Sequence, residues 1–198
     1  MSAAGEHDRQ IANLLMFGVV AELDEAQARV RVDCDGMLTD WIPWTASRAG
    51  PGVRTWCAPE VGEQVIVASP YGDPTQGVVI GSVYQEAHDA PANTKAKHRT
   101  EYADGSVVEY DRETTTLTVN IGSGTVIVNC ATAEVHASES VTLDTPKTHA
   151  TGDLKVDGKI EAGADITTPA EVKAGNIGLK AHKHTAQGAT APTTPAQP

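Results

Sequence analysis

Aromatic side chains are few in this 198-residue chain, and none follows Tyr110. Trp41, Trp44, Trp56, Phe17, Tyr71, Tyr84, Tyr102 and Tyr110 complete the set. A small domain needs large apolar side chains to offset an ordering cost of roughly 1.5 kcal/mol per residue. The part after Tyr110 offers mostly Val, Ile, Thr, Ala and Gly, so it is not expected to fold as an isolated chain. Its Val/Thr alternation is nevertheless β-like, and the favoured reading is a core made by pairing with copies of itself rather than disorder.

Positive charge is also in short supply. With 15 Lys and Arg against 26 Asp and Glu, the net charge of −11 argues against a nucleic-acid partner, because phosphate neutralisation needs clustered cations. The three cysteines, Cys34, Cys57 and Cys130, are widely spaced and form no CxxC, so neither a disulfide framework nor a zinc ribbon is indicated. A reducing cytoplasm during assembly fits that cysteine usage; no apolar run is long enough to span a bilayer, and no basic stretch precedes one, so the protein is expected to be made soluble and unsecreted. GxSxG, HExxH and a Gly-rich phosphate loop are all missing. The carboxylate pairs Asp24/Glu25, Asp33/Asp35 and Glu60/Glu63 fall at turns or strand ends, where solvated turn residues are far commoner than glycosidase pairs. A non-enzymatic protein is expected.

What is present is strand-forming sequence in two textures. Residues 1–16 form an N-terminal arm, a helix or extended lead with Ile11, Leu14 and Leu15 on one helical side. Five strand-like runs follow at 17–23, 28–34, 38–44, 64–69 and 77–84. Turn signals at Asp24-Glu25, Asp35-Gly36, Gly50-Pro51-Gly52 and Tyr71-Gly72-Asp73-Pro74 separate them. Five short strands over 17–86 fit a small barrel of the OB-fold kind, which composition alone does not separate from an SH3-like barrel. Residues 87–97 are polar and Ala/Pro/Asn-rich, a linker too short to hold an inserted domain.

From residue 98 the strands shorten, at 106–110, 116–121, 125–130, 133–137, 141–144 and 154–156. Tight turns between them include Asp104-Gly105, read as a type I′ hairpin, and Asp157-Gly158. Small β-branched side chains pointing inward suit a thin prism of three intertwined chains over 98–178. The stretch 185–198 is Pro/Ala/Thr-rich and by composition a disordered tail.

Three motifs stand in order: Asp40-Trp41-Ile42-Pro43-Trp44, then Pro59-Glu60-Val61-Gly62-Glu63-Gln64-Val65, then Gly77-Val78-Val79-Ile80-Gly81-Ser82-Val83-Tyr84. With the later Tyr102 to Tyr110 run and His182-Lys183-His184, this succession resembles the phage baseplate assembly protein V family, the central spike of contractile tails, across nearly the whole chain. The resemblance implies an all-β homotrimer. Its OB-fold collar would be fixed to the tail tube and baseplate hub, and its triple-stranded β-helix needle aimed at the bacterial outer membrane. Type VI secretion spikes share that plan, and some larger relatives insert a lysozyme domain for which this chain has no room.

Trp41 and Trp44, three apart in a strand run, are expected on opposite faces, at least one filling the barrel core. His182 and His184, in the apex segment 179–198, are the candidate metal ligands. Residues i and i+2 of an extended segment share a face, and three-fold symmetry then supplies six imidazoles around one axial ion. Imidazole suits Fe, Zn, Cu and Ni alike, while octahedral coordination disfavours structural zinc; the resemblance implies iron. Without the trimer, His-Lys-His is a solvated piece of tail. The function implied is mechanical, piercing of the outer membrane on sheath contraction. The competing reading is a trimeric fibre or adhesin, whose recognition surface favours exposed aromatics and Arg; none of the former follows Tyr110 and none of the latter follows Arg112. An oligonucleotide-binding OB protein would need aromatic platforms in a basic groove.

Overall fold

The computed structural model describes residues 3–180 and 182–184. The chain divides into two units, residues 1–130 and 131–198.

Unit one opens with α1, Ala3–Ala12, whose exposed face carries a Glu6–Arg9 ion pair at 2.6 Å. The helix ends earlier than the sequence pattern suggests. Leu14 donates its N–H back to Ile11, its carbonyl accepts from Ser69, and Leu15 already begins β1, so Leu14 and Leu15 do not share a helical side with Ile11. The competing principle is sheet pairing, which claims Leu15 opposite Ala68.

The barrel consists of β1 (Leu15–Asp24), β2 (Arg29–Cys34), β3 (Met37–Leu38), β4 (Gln64–Ala68) and β5 (Val78–Ser82). They lie in the order β3-β2-β1-β4-β5, with antiparallel neighbours. Strict period-two alternation sets the core. Val30, Val32 and Cys34 of β2 point inward with Val65 and Val67 of β4, Val20 of β1, Val79 of β5 and Ile42. Between β2 and β3, Asp35 and Gly36 both take left-handed φ values of 55° and 85°, a type I′ loop whose twist suits a hairpin. Asp33 caps it by accepting from the Gly36 N–H at 2.7 Å.

The run 38–44 is not the continuous strand expected. The ladder is interrupted at Thr39, whose N–H still donates to the Val32 carbonyl but whose own carbonyl is taken by Arg31 Nε, the Thr39 hydroxyl accepting the Val32 N–H in its place. Pro43, lacking an N–H, cannot donate to a ladder. Single bridges take over. Ile42 pairs with Val30, and Trp44 lies parallel to Val79, with Thr45 N–H donating to the Val79 carbonyl and Val79 N–H to the Pro43 carbonyl. That parallel contact joins β5 to the segment after β3, which Ile42 ties to β2, and closes the barrel.

A second sheet in this unit is a meander, β6 (Lys97–Glu101), β7 (Val107–Asp111) and β8 (Thr116–Asn120). β6 is a strand the sequence reading placed partly in the linker. The Asp104-Gly105 hairpin is not type I′. Only Gly105 is left-handed, at φ 80°, and its N–H donates to the Tyr102 carbonyl while Tyr102 N–H donates to Ser106. This is the three-residue loop, a type I turn followed by a left-handed glycine.

Unit two contains, among the described residues, one short hairpin, β9 (Lys173–Ala174) with β10 (Ile177–Gly178). The strand expected at 125–130, at the end of unit one, and those expected at 133–137, 141–144 and 154–156 in unit two are not formed within the single chain, and residues 122–176 are all exposed. A strand needs a hydrogen-bonded neighbour, and this chain does not fold back on itself to supply one.

Candidate functional site

The best-built site in unit two is the hairpin that presents the two histidines. Gly175, at φ 61°, occupies the first of two loop residues and lets the chain reverse between Ala174 and Ile177. Past β10, the Leu179 N–H donates to the Val172 carbonyl and the His182 N–H to Gly178, which coils the chain back over the hairpin. Glu171 fastens the turn by accepting the Lys180 N–H at 2.8 Å. Gly178 brings the backbone close to the Glu171 carboxylate, which a Cβ would meet at 2.9 Å. Lys180 Nζ donates to the Pro169 carbonyl at 3.3 Å.

The two imidazoles lie side by side, ring centroids 5.1 Å apart and planes inclined at 81°. His182 Nδ1 faces the carbonyls of Leu179 at 3.0 Å and Gly178 at 3.3 Å. A proton on Nδ1 satisfies that contact and leaves Nε2 as the lone-pair nitrogen, the arrangement metal-binding histidines use to fix ring and tautomer. The donor chemistry therefore fits an imidazole-ligated metal, although one chain supplies only two of the ligands such an ion needs. Among the described residues no group of three or more His, Cys, Asp or Glu is gathered in one place. The 185–198 stretch lies outside the described residues.

In unit one, a groove of about 590 Å³ runs along the barrel, lined in part by Trp44, Cys57, Glu63, Ser82, Tyr84 and His88. Its polar groups are engaged locally. Ser82 Oγ donates to Glu63, whose other oxygen accepts the Glu60 N–H at 2.8 Å, and Gln85 Nε2 donates to the Gly62 carbonyl at 2.7 Å. Trp44 meets Trp56 edge to face at 5.4 Å, and Arg31 stands over the ring of Trp41 at 5.9 Å. Trp44 packs against the core from outside and Trp41 stays exposed, so neither fills it; Ile42 does.

The other candidates resolve into local structure. Asp24 accepts the Gln27 N–H and Asp33 the Gly36 N–H, so these carboxylates cap turns. Burial, helped by the nearby Asp33, pushes the Cys34 thiol up and leaves it unreactive. Sequence reasoning passed over an ion network on the second sheet. Glu109 takes Lys97 at 2.8 Å and Arg99 at 2.9 Å, and Arg99 also reaches Glu101 at 2.6 Å. These contacts hold the Glu109 carboxyl below the usual carboxylate range. The alternation Lys97, Arg99, Glu101 at period two was the available signal.

Comparison with known proteins brings the two units together in one kind of protein. Residues 16–84 match the family described as the type VI secretion system/phage-baseplate injector OB domain, and residues 129–184 match the phage spike trimer family. The spike protein of Escherichia phage P2 is 34% identical over 190 residues, covering 89% of each chain. The baseplate puncturing device of Escherichia phage Mu is 28% identical over 142 residues, 69% of this chain and 65% of that one.

Proposed function

Since the chain belongs to the phage baseplate spike family, we propose that it is the homotrimeric central spike of a contractile tail baseplate, and that it pierces the host outer membrane when the sheath contracts. One observation carries the trimeric reading. Residues 122–176 are exposed throughout in the single chain, yet they include Val126, Ile127, Val128, Val141, Leu143 and Leu154, each more than half exposed. A soluble monomer does not leave so long an apolar β-forming run in water, whereas three intertwined copies bury it and pair every strand edge.

The barrel serves as the collar that engages tube and hub. The segment 98–178 forms the triple-stranded needle, and the apex begins at 179. There His182 and His184 of three chains would hold one iron shared by the trimer through their imidazole nitrogens. When bound, that ion supplies cohesion between chain ends rather than reactivity. The hairpin's own residues do the positioning, with Glu171 holding the turn and the Leu179 and Gly178 carbonyls orienting His182. Cross-linking three ends stiffens a point that has almost no core of its own. The task is mechanical, since a closed prism leaves no edge from which to peel under load. The P2 and Mu relatives are named for a spike and for puncturing, and this reading extends both words to the present chain.

The test is native mass spectrometry with elemental analysis of the wild type and a His182→Ala/His184→Ala variant. A trimer with one iron per three chains, metal-free in the variant, is the expected result. A monomeric wild type would sink the spike reading, and a trimer whose metal content ignores the substitutions would remove the site.

A further inference from the structure

Residues 45–57 form an arm of the barrel in which every residue is exposed. The chain reverses at Gly50-Pro51-Gly52, with the Gly50 N–H donating to the Val53 carbonyl and the Thr55 N–H to the Arg48 carbonyl. The Thr55 hydroxyl accepts the Arg48 N–H at 3.1 Å and fixes the ribbon. No Asp or Glu stands between Asp40 and Glu60, in a chain of net charge −11. Arg9, Arg29, Arg31, Arg99 and Arg112 all find carboxylates or carbonyls within the chain. The guanidinium groups of Arg48 and Arg54 meet no partner among the described residues. Arg54 pairs with Ala49, and Arg48 with Thr55. Cross-strand partners share a face and successive residues alternate, so the arm carries one free cation on each of its two faces. An element that lies on a flat surface gathers both on one side, whereas one that enters a cleft uses both.

The barrel groove described above is the matching half. No Lys or Arg lines it. Glu63 is taken up by Ser82 and the Glu60 N–H, but the carboxylates of Glu60 and Asp89, which also line the groove, have no partner among the described residues. Val61 and Tyr84 of the same lining are 64% and 71% exposed, and the arm brings Val53 and Trp56, 55% and 63% exposed, along with its two cations. Wet ion pairs contribute little. Apolar side chains that arrive with them take the contact out of water, where opposite charges attract more strongly. The arm does not satisfy the groove of its own chain, because neither arginine reaches Glu60 or Asp89 there. A second copy meets both needs at once. The contact is then heterologous, and a three-fold repeat closes it with every arm and every groove occupied.

We propose that the 45–57 arm of one copy docks in the barrel groove of the next, with Arg48 and Arg54 pairing with Glu60 and Asp89 of that neighbour. The three barrels then clasp one another in a ring. The inference rests on the homotrimeric reading above and adds an interface within the barrels themselves, separate from the needle and built on charge where the needle is apolar.

Cross-linking of the full-length protein tests it, in a Cys57→Ser/Cys130→Ser background whose trimeric mass is verified first. Arg48→Cys or Arg54→Cys is combined with Glu60→Cys or Asp89→Cys. Each of the four double variants is treated with a short bismaleimide, whose spacer makes up the reach lost when cysteine replaces arginine. Cys34 is buried and stays out of the reaction. The expected result is covalent dimer and trimer on denaturing gels from at least one double variant, lost when either new cysteine is absent. Should those variants fail to assemble, Arg48→Lys/Arg54→Lys keeps both charges, and carbodiimide coupling of the new amines to Glu60 or Asp89 between chains reads the same contact. Bands at the monomer position alone, from a verified trimer, overturn the clasp, leave the spike reading standing and free the arm for an acidic surface of another protein. A monomeric parent protein overturns both.

Discussion

The barrel and the segment 122–176 use the same residue, valine, in opposite ways. Val20, Val30, Val32, Val65, Val67 and Val79 are at most 3% exposed, whereas Val126, Val128, Val135 and Val141 are each at least 62% exposed. Hydrophobicity and β propensity are the same in both places; what differs is whether the chain supplies a neighbour. In the barrel β1, β2 and β3 find one by turning back through short loops, β4 returns to β1 across a long connection, and the parallel Trp44–Val79 bridge closes the last edge. Between residues 122 and 172 the turns do not bring strand to strand. A β-branched residue contributes to stability only when a ladder fixes its face, so the valines of the segment 122–176 are written for a core that a single chain does not contain.

The sharpest way to break that comparison is to put charge where the single chain shows only surface. Val141 and Leu143 are 62% and 70% exposed and, two apart, share a face of any strand they enter. On a free surface a Val141→Asp/Leu143→Asp variant changes stability by no more than about 0.5 kcal/mol per site. In a three-chain core each unpaired carboxylate costs several kcal/mol, three times over. Loss of the trimer mass, or a large fall in its thermal midpoint, is the expected outcome. An unchanged trimer would place these residues outside the shared core.

Ile42→Ala is the matching test of the barrel. Ile42 is 1% exposed and belongs to the one-chain core, so the substitution is expected to lower barrel stability by about 2–5 kcal/mol. Denaturant unfolding followed through tryptophan fluorescence reads it, because all three Trp lie in the barrel region. The loss should not depend on protein concentration. A smaller effect is expected for Gly18→Ala, about 1–3 kcal/mol, since the added Cβ would meet Val32 Cγ1 at 2.5 Å and the Asp33 carbonyl at 2.7 Å. A neutral result would mean that β1 and β2 have room to separate there.

Legibility in the sequence follows the same divide. Alternating runs placed four of the barrel strands near their observed positions because each is bounded by a turn residue with one conformational use, such as Asp35-Gly36. The third run misled because its apolar pattern continues through Ile42, while Arg31 and the Thr39 hydroxyl divert its hydrogen bonds, a tertiary event that no local pattern carries. Asp104-Gly105 was read as a two-residue loop because the dipeptide is common to both turn types and only φ distinguishes them. In the second unit the sequence carried the β pattern but not the partner. The proximity of the His182 and His184 rings was legible as an i, i+2 pair, whereas the Glu171 clasp beneath them, nine residues from Lys180, was not.

The smallest expected effect concerns the sheet that lies between these two regimes in sequence. Hydrogen bonds from Lys97 and Arg99 lower the Glu109 carboxyl below its ordinary range. A carboxylate whose folded pKa is depressed binds its proton more readily when unfolded, so its contribution is complete above the ordinary carboxylate range and is lost as pH falls through the folded value. Acidification from about pH 6 to about pH 3 should therefore destabilise the wild type more than a Glu109→Gln variant, which has no such proton to take up. Above about pH 6 the gap between the two should stay constant. Thermal unfolding across that range measures it, with Asp104, lowered by its bond from Ser106 N–H, common to both proteins. Parallel profiles would mean that solvent already screens the pairs, leaving strand pairing and not the ion network to hold the meander in place.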